Sequence, residues 1–275
     1  MFDIKLLTLN THSIIEPDYE KKLEFFVEAI ERERPDIIAL QEVNQSINSD
    51  KADKNLLIGY YSCNSAIPVR SDNHAYRVVN LLNEKGINYN WTWLGIKKGY
   101  DKYDEGLALL SLEPITETKV VRLSETHDYE NWKTRKALGI KVNDEWYYSV
   151  HFSWWNDKDE PFLMQWARMM KATEGTENVW LMGDFNNSAE AKNEGYDVMR
   201  NFGWYDTFSL AAKKDSGYTV ENIIDGWKER LNKPEKLRID FIMSKKTKYI
   251  SSSHTIFNGI NEPVVSDHYG VICEL

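Results

Sequence analysis

Apolar runs in this chain repeatedly end on side chains that a hydrophobic interior rejects. Val179 to Met182 reads as a buried strand, and it continues directly into Gly183, Asp184, Asn186 and Asn187. "DIKLLTLN" reaches Asn10, "DIIALQE" reaches Glu42, and "WYYSVH" reaches His151. Glu105 stands just before "GLALLS", and Asp267 with His268 just before the final apolar run. Turn chemistry explains any single case, because Gly, Asp and Asn favour the reversals that follow strands. The repetition constrains the fold more tightly, since strand ends gathered at one edge of a sheet would pool these groups into one site. Asp240 adds to the case. It sits between Ile239 and Phe241 in what reads as the interior of a strand, where an unpaired carboxylate is costly to bury. A histidine is its natural partner.

The rest of the chain reads as strands interleaved with a few helices. Pro17 and Asp18 open a helical pattern with Leu23, Phe26, Val27 and Ile30 on one face, closed by Pro35. "NHAYRVVNLLNEKG" is a helix stopped by Gly86, and "YNWTWLGI" a strand. "RKALGIKVNDEWYYSVHF" is a hairpin around Asn143 and Asp144. "EPFLMQWARMMKAT" is a helix with Phe162, Trp166, Met169 and Met170 on its apolar side, and a further helix runs through "AEAKNEGYDVMRNFG" to Gly203. No repeat, low-complexity tract or linker divides the chain, so one α/β domain over residues 1–275 is expected. Strands outnumber helices and often follow one another, which points to two packed sheets with helices outside.

Composition excludes some roles. The formal net charge of −9 opposes a general affinity for nucleic acid, which needs clustered Lys and Arg. Two cysteines, Cys63 and Cys273, lie far apart and outside metal-ligand spacing. No segment approaches the roughly 20 apolar residues of a membrane span, and the N-terminus has no secretion signal. A cytoplasmic protein with no membrane partner is the expectation. Carboxylates and amide oxygens at one sheet edge make a hard-oxygen site suited to Mg²⁺ or Mn²⁺. Two histidines with carboxylates to orient them add acid–base capacity near neutral pH. That combination, with no candidate covalent nucleophile, fits metal-assisted hydrolysis of a phosphate ester.

Seven stretches then occur in an order that resembles the endonuclease/exonuclease/phosphatase superfamily. They are "LNT" at Asn10, "LQEVN" at Glu42, "GLALLS" after Glu105, "SVHFS" at His151, "GDFNN", "RIDFIM" and "SDHYGV". The resemblance implies a DNase I-like, four-layer α/β/β/α sandwich with two packed mixed sheets. It implies that Glu42, with Asn10 and Asp267, holds the metal ion. By the same resemblance Asp184 positions or deprotonates the attacking water and Asn186 accompanies it on the phosphate. Asp240 would orient His268, which supports the phosphoryl group, and Glu105 would orient His151, the leaving-group acid. The division of roles between Asp184 and His268 stays open, as does the number of metal ions.

The superfamily spans nucleases, sphingomyelinases and sugar phosphatases, so local features must choose. "HFSWWND" puts Trp154 and Trp155 beside His151, with Asn156 and Asp157 available to hydroxyls. Indole faces there suit stacking on a sugar ring; core or rim packing is the alternative. "ENWKTRKALG" offers Arg135 as a phosphate contact, against a solvated basic edge. "GYDKYDEGLALLS", "LNTHS" and "NWKTRK" most resemble the bacterial maltose 6'-phosphate phosphatase group. That implies a small-molecule sugar phosphate as substrate rather than nucleic acid. A metal-dependent phosphodiesterase and a non-catalytic binding module are the competing readings. His12, His74, His127 and His254 match no motif and read as surface or packing residues. Nothing in the sequence fixes the oligomeric state.

Overall fold

The computed structural model describes residues 4–222, 224, 227 and 236–275. The elements run β1 (Lys5–Asn10), α1 (Tyr19–Glu33), β2 (Ile37–Ser46), α2 (His74–Glu84), β3 (Asn90–Gly99), β4 (Tyr103–Ser111), β5 (Glu117–Arg122), β6 (Lys136–Val142) and β7 (Glu145–His151). They continue with α3 (Phe162–Ala172), β8 (Val179–Asp184), α4 (Gly195–Asn201), β9 (Tyr205–Asp206), α5 (Thr207–Leu210), β10 (Lys213–Lys214), β11 (Asp240–Ser244), β12 (Ser252–Ile256) and β13 (Gly270–Glu274). A seven-stranded sheet has the order β10-β12-β13-β1-β2-β4-β3, and a six-stranded sheet the order β5-β6-β7-β8-β11-β9. Both are mixed, with β1 parallel to β2 and β7 parallel to β8.

Side-chain alternation builds the layers. On the first sheet Leu7, Leu9, Ile38 and Leu40 pack against Phe26 and Ile30 of α1 and Val79 and Leu82 of α2. On the second, Tyr148, Val150, Leu181 and Phe241 pack against Phe162, Trp166 and Met169 of α3 and Met199 of α4. Between the sheets lie Leu6, Ile37, Ala39, Tyr147, Trp180, Met182 and Ile242. Helices, sheet, sheet, helices is the four-layer order expected from the sequence. Burying such side chains drives the assembly; trimming one fully buried Leu to Ala would cost about 2–5 kcal/mol.

The period of two along each strand also aims the polar tips. Asn10 follows Leu6 and Thr8, His151 follows Tyr147 and Ser149, and Asp184 follows Trp180 and Met182, all on the inter-sheet face. Polar ties close the end of the inter-sheet core: Gln41 Nε2 donates to Ser149 Oγ at 3.0 Å, and that hydroxyl donates to the Leu40 carbonyl at 2.9 Å. Gly183 is required here, because a Cβ would stand 2.0 Å from the Val150 carbonyl oxygen on the neighbouring strand.

Two elements differ from the sequence expectation. Asp240 opens β11 rather than lying within it, so it stands at the sheet edge. Helix α4 begins only at Gly195, because residues 186–194 bend around the site end, with Asn186 and Asn193 at positive φ.

Candidate active site

Three titratable groups form one row across three strands. His151 of β7 pairs in register with Asp184 of β8, which pairs in turn with Asp240 of β11. His151 Nε2 lies 3.5 Å from Asp184 Oδ2, and His268 Nε2 lies 3.9 Å from the same oxygen. His268 Nδ1 meets Asp240 Oδ2 at 2.9 Å. Ser266 fixes the turn that delivers His268, donating its hydroxyl to the Asn10 carbonyl at 2.7 Å and accepting the His268 N–H at 3.3 Å.

Asp184 is locked from several sides. Its Oδ1 accepts the Asn186 N–H at 2.8 Å, and its Oδ2 accepts the Asn10 side-chain amide at 3.2 Å. Asn186 is itself held, donating to the Phe152 carbonyl at 3.0 Å and accepting from Trp227 Nε1 at 3.0 Å.

Glu42 reaches the site through a bulge. The β2–β4 register shifts between Leu40 and Val43, so one extra residue is inserted on β2. Glu42 takes φ 50° there, a left-handed conformation costing a non-glycine residue about 1–3 kcal/mol. The bulge takes Glu42 out of the ladder pairing while Val43 returns to the helix-facing core. Its Oε1 accepts the Asn10 amide at 2.9 Å.

The electrostatics divide the cleft. Burial, then the charge of Asp240, raises the Asp184 carboxyl to about 7, against His268 and the Asn186 N–H. Burial and Glu105 likewise push Glu42 up, with Asp267 adding to the effect. Burial pulls His268 down, but Asp240, Asp184 and Asp267 override it and hold the ring well above its ordinary value. Burial, together with Arg135, Lys97 and His268, keeps His151 well below its own. The result is an imidazolium beside one face of Asp184 and a neutral imidazole beside the other.

A cleft of about 240 Å³ joins these groups, with Glu42, Asp184, Asn186, Asp267, His151 and His268 on its wall. Asn10 and Asp240 lie buried just behind. Glu42 and Asp267 share the cleft wall, and the uncompensated charge that raises Glu42 is what a hard divalent cation corrects. The Asn10 amide donates to Glu42 and Asp184 while its oxygen accepts the His12 N–H at 3.3 Å, so it would turn over to offer that oxygen to an ion. The residues therefore fit Mg²⁺ or Mn²⁺. Ligand atoms of Asp184, Asp240 and His268 lie within 4.8 Å of one another, as do those of His12, Glu16 and Asp267, but in both groups an imidazolium held charged by its acidic neighbours already supplies positive charge.

Several expectations change. Glu105 does not orient His151: its register partner on β3 is Lys97, whose Nζ meets Glu105 Oε1 at 3.1 Å. A shift in the β3–β4 register between Gly95 and Lys97 accompanies that pairing. Trp155 does not line the cleft, because it packs on the core beneath α3. Asp157 is occupied as a turn acceptor for the Asp159 and Glu160 N–H groups and for Lys133 Nζ. Trp154 does line the cleft but is only 7% exposed. The open indole is Trp132, 53% exposed on the cleft wall and edge-on to Trp154 at 6.2 Å.

Lys97 and His12 were not singled out by sequence. His12 lines the cleft and takes φ 47°; its Nδ1 lies 2.6 Å from Glu16 Oε1. Burial opposes its charge, yet Glu16, Glu42 and Asp267 together raise it to about 9. The available signal was its place two residues after Asn10 in "LNTHS".

Two stacked mixed sheets between helices, with acids and imidazoles pooled at one end, define a DNase I-like sandwich built for phosphoester chemistry. The chain belongs to the Endonuclease/Exonuclease/phosphatase family, whose profile matches residues 7–268. Members of that family are metal-dependent phosphoesterases. Among solved structures, an endonuclease/exonuclease/phosphatase family protein from Leptotrichia buccalis C-1013-b is 29% identical, with TM-score 0.85 and 98% of each chain covered. A mannosyl-6-phosphatase of Bacteroides thetaiotaomicron VPI-5482 is 16% identical, with TM-score 0.66 and 99% of each chain covered. A 3' phosphatase from Neisseria bound to a product DNA hairpin is also 16% identical, with TM-score 0.63 and 99% of each chain covered. No curated protein matches the sequence. No helix among the described residues is long and apolar enough to cross a membrane.

Proposed function

We propose that this chain is a divalent-metal-dependent phosphomonoesterase that releases inorganic phosphate from a phosphorylated sugar, with maltose 6'-phosphate as the leading substrate. The observation that carries the reading is the environment of Asp184. Its carboxylate sits between a neutral and a charged imidazole, bonded to the Asn10 amide and on one cleft wall with Glu42 and Asp267.

Mg²⁺ or Mn²⁺, bound by Glu42, Asp267 and Asn10, would neutralise phosphate charge. Asp184, with a carboxyl held at about 7, orients the attacking water and takes its proton. Asn186 holds Asp184 through its backbone N–H and lines the cleft beside it, where it would accompany Asp184 on the phosphate. His268, kept protonated and aimed by Asp240, stabilises charge gathering on the phosphoryl oxygens. His151 stands at the leaving oxygen. Burial, with Arg135 and Lys97 nearby, keeps it neutral; a doubly charged phosphate would offset both cations and let the ring carry the proton it delivers.

The fold leaves the ester open, since it carries proteins described both as a sugar phosphatase and as a DNA 3' phosphatase. The formal charge of −9 argues against a polyanionic partner. An adjoining groove beyond Trp132 carries Glu125, Asp128, Asp159 and Glu160 beside Lys133 and His127, and offers no cluster of cations for a polyanion. Trp132 and Trp154 offer an aromatic wall for a neutral sugar. The test is phosphate release from a panel of sugar phosphates beside plasmid DNA, with Mg²⁺ and with EDTA. EDTA-reversible turnover of a disaccharide phosphate, lost in D184N, is the expected result. Efficient nicking of DNA with no sugar-phosphate turnover would replace this reading with the phosphodiesterase one, and silence on both would point to a binding module.

A further inference from the structure

The lining of the cleft holds two buried cations, and only one has a carboxylate partner among the described residues. Lys97 is 7% exposed and Arg135 4% exposed. Both are tied to one acceptor, the Trp132 carbonyl, which receives Lys97 Nζ at 2.8 Å and Arg135 Nη1 at 3.1 Å. Glu105 compensates Lys97 at 3.1 Å. Arg135 meets no carboxylate at ion-pairing distance among the described residues, and its Nε is buried without any hydrogen-bond partner. An unpaired buried guanidinium carries a desolvation cost of several kcal/mol, which an anion entering the cleft would offset. Lysine has three N–H donors. Two of those on Lys97 are committed, to Trp132 and Glu105, which leaves one for the cleft that the side chain lines.

We propose that Lys97 and Arg135 form a two-cation clamp that selects a doubly charged terminal phosphate over a singly charged diester, with Glu105 as the residue that positions Lys97. The proposal rests on the phosphomonoesterase reading above and assigns its charge selectivity to this wall. A monoester presents two negative charges and three terminal oxygens at neutral pH, so each cation finds its own acceptor. A diester presents one charge and two terminal oxygens, and with one of these turned toward the acid side the second cation stays unmatched. The preference for monoesters then comes from leaving a buried charge unpaired in the wrong complex, a stronger discriminator than an added attraction in the right one. Lys97 suits the task because Glu105 and the Trp132 carbonyl already hold its Nζ in place, so little conformational freedom is lost on binding.

The test measures binding rather than turnover, so it can fail or succeed independently of the sugar assignment. Calorimetric titrations at about pH 8 in saturating Mg²⁺ would compare inorganic phosphate, mostly doubly charged there, with singly charged dimethyl phosphate. K97M should weaken phosphate binding about 10- to 100-fold, the span of one charge-assisted hydrogen bond, and change dimethyl phosphate less than about threefold. Because K97M strands Glu105, the double variant K97M/E105Q is made alongside it. If Glu105 acts only through Lys97, the double variant should match K97M instead of adding a further loss. Equal weakening of both ligands, or phosphate binding unchanged in the folded double variant, would overturn the clamp. Loss of sugar-phosphate turnover with the clamp pattern intact would overturn only the substrate assignment.

Discussion

Replacing Asp184 with Asn should make the metal-free protein harder to unfold at alkaline pH while abolishing turnover. In the fold the Asp184 carboxyl is raised to about 7 by burial and by Asp240, whereas an unfolded Asp ionises near 3.9. Between those values the folded protein keeps a proton that the unfolded chain has released. The stabilising effect of that proton is complete at acid pH and is lost as pH climbs from about 4 through about 7. A difference of about 3 pH units at about 1.36 kcal/mol each leaves the wild type weaker by about 4 kcal/mol at pH 8 than at pH 4, from this group alone. Asn cannot ionise. It keeps an acceptor for the Asn186 N–H, but its new amide faces the donors on Asn10 and Asn186, at a cost of about 1–3 kcal/mol. The net gain for D184N at pH 8 is about 1–3 kcal/mol, a rise in melting temperature of roughly 2–5 °C for a chain of this size. At about pH 4 the gain should vanish or reverse. Thermal unfolding in EDTA at both pH values checks this. A variant that melts at or below the wild type at pH 8, or a gap that ignores pH, would refute the electrostatic account of Asp184.

D240N removes the partner that holds His268 charged and aimed; kcat should fall by about 10²- to 10⁴-fold with KM little changed, and the alkaline limb of the pH–rate profile should move to lower pH. E42A should largely abolish stabilisation by Mg²⁺, which for the wild type reaches about 2.7 kcal/mol at one hundred times the dissociation constant; a melting shift equal to wild type would remove Glu42 from the metal set. W132A leaves the carbonyl that holds Lys97 and Arg135 in place, so it should raise KM for a disaccharide phosphate roughly 10-fold and leave a small generic ester nearly unaffected. Equal effects on both substrates would count against the aromatic wall.

The architecture was legible because alternation along strands is a local signal. Trp180, Met182 and Asp184 share a face by counting alone, as do Tyr147, Ser149 and His151. The partnership of Asp240 with a histidine followed from the cost of burying a carboxylate, and His268 fills that place. What could not be read depends on pairing register. Glu105 meets Lys97 because those two residues face each other across β3 and β4 next to a register shift, which no period within either strand reveals. Trp155 and Trp132 exchange places for a related reason. Both lie in irregular segments, 152–161 and 123–135, where direction is set by turns such as the one closed on Asp157 rather than by periodicity. Strands β9 and β10, of two residues each, exist only through their neighbours.

The inserted residue in β2 puts catalysis and regularity in opposition. Removing one residue near Glu42 would let the ladder with β4 run unbroken and release the left-handed backbone, yet it would turn the acid into the oily layer under the helices or pull it off the edge altogether. A search for hardier versions of this protein would thus be drawn to the very position where tidiness disarms it.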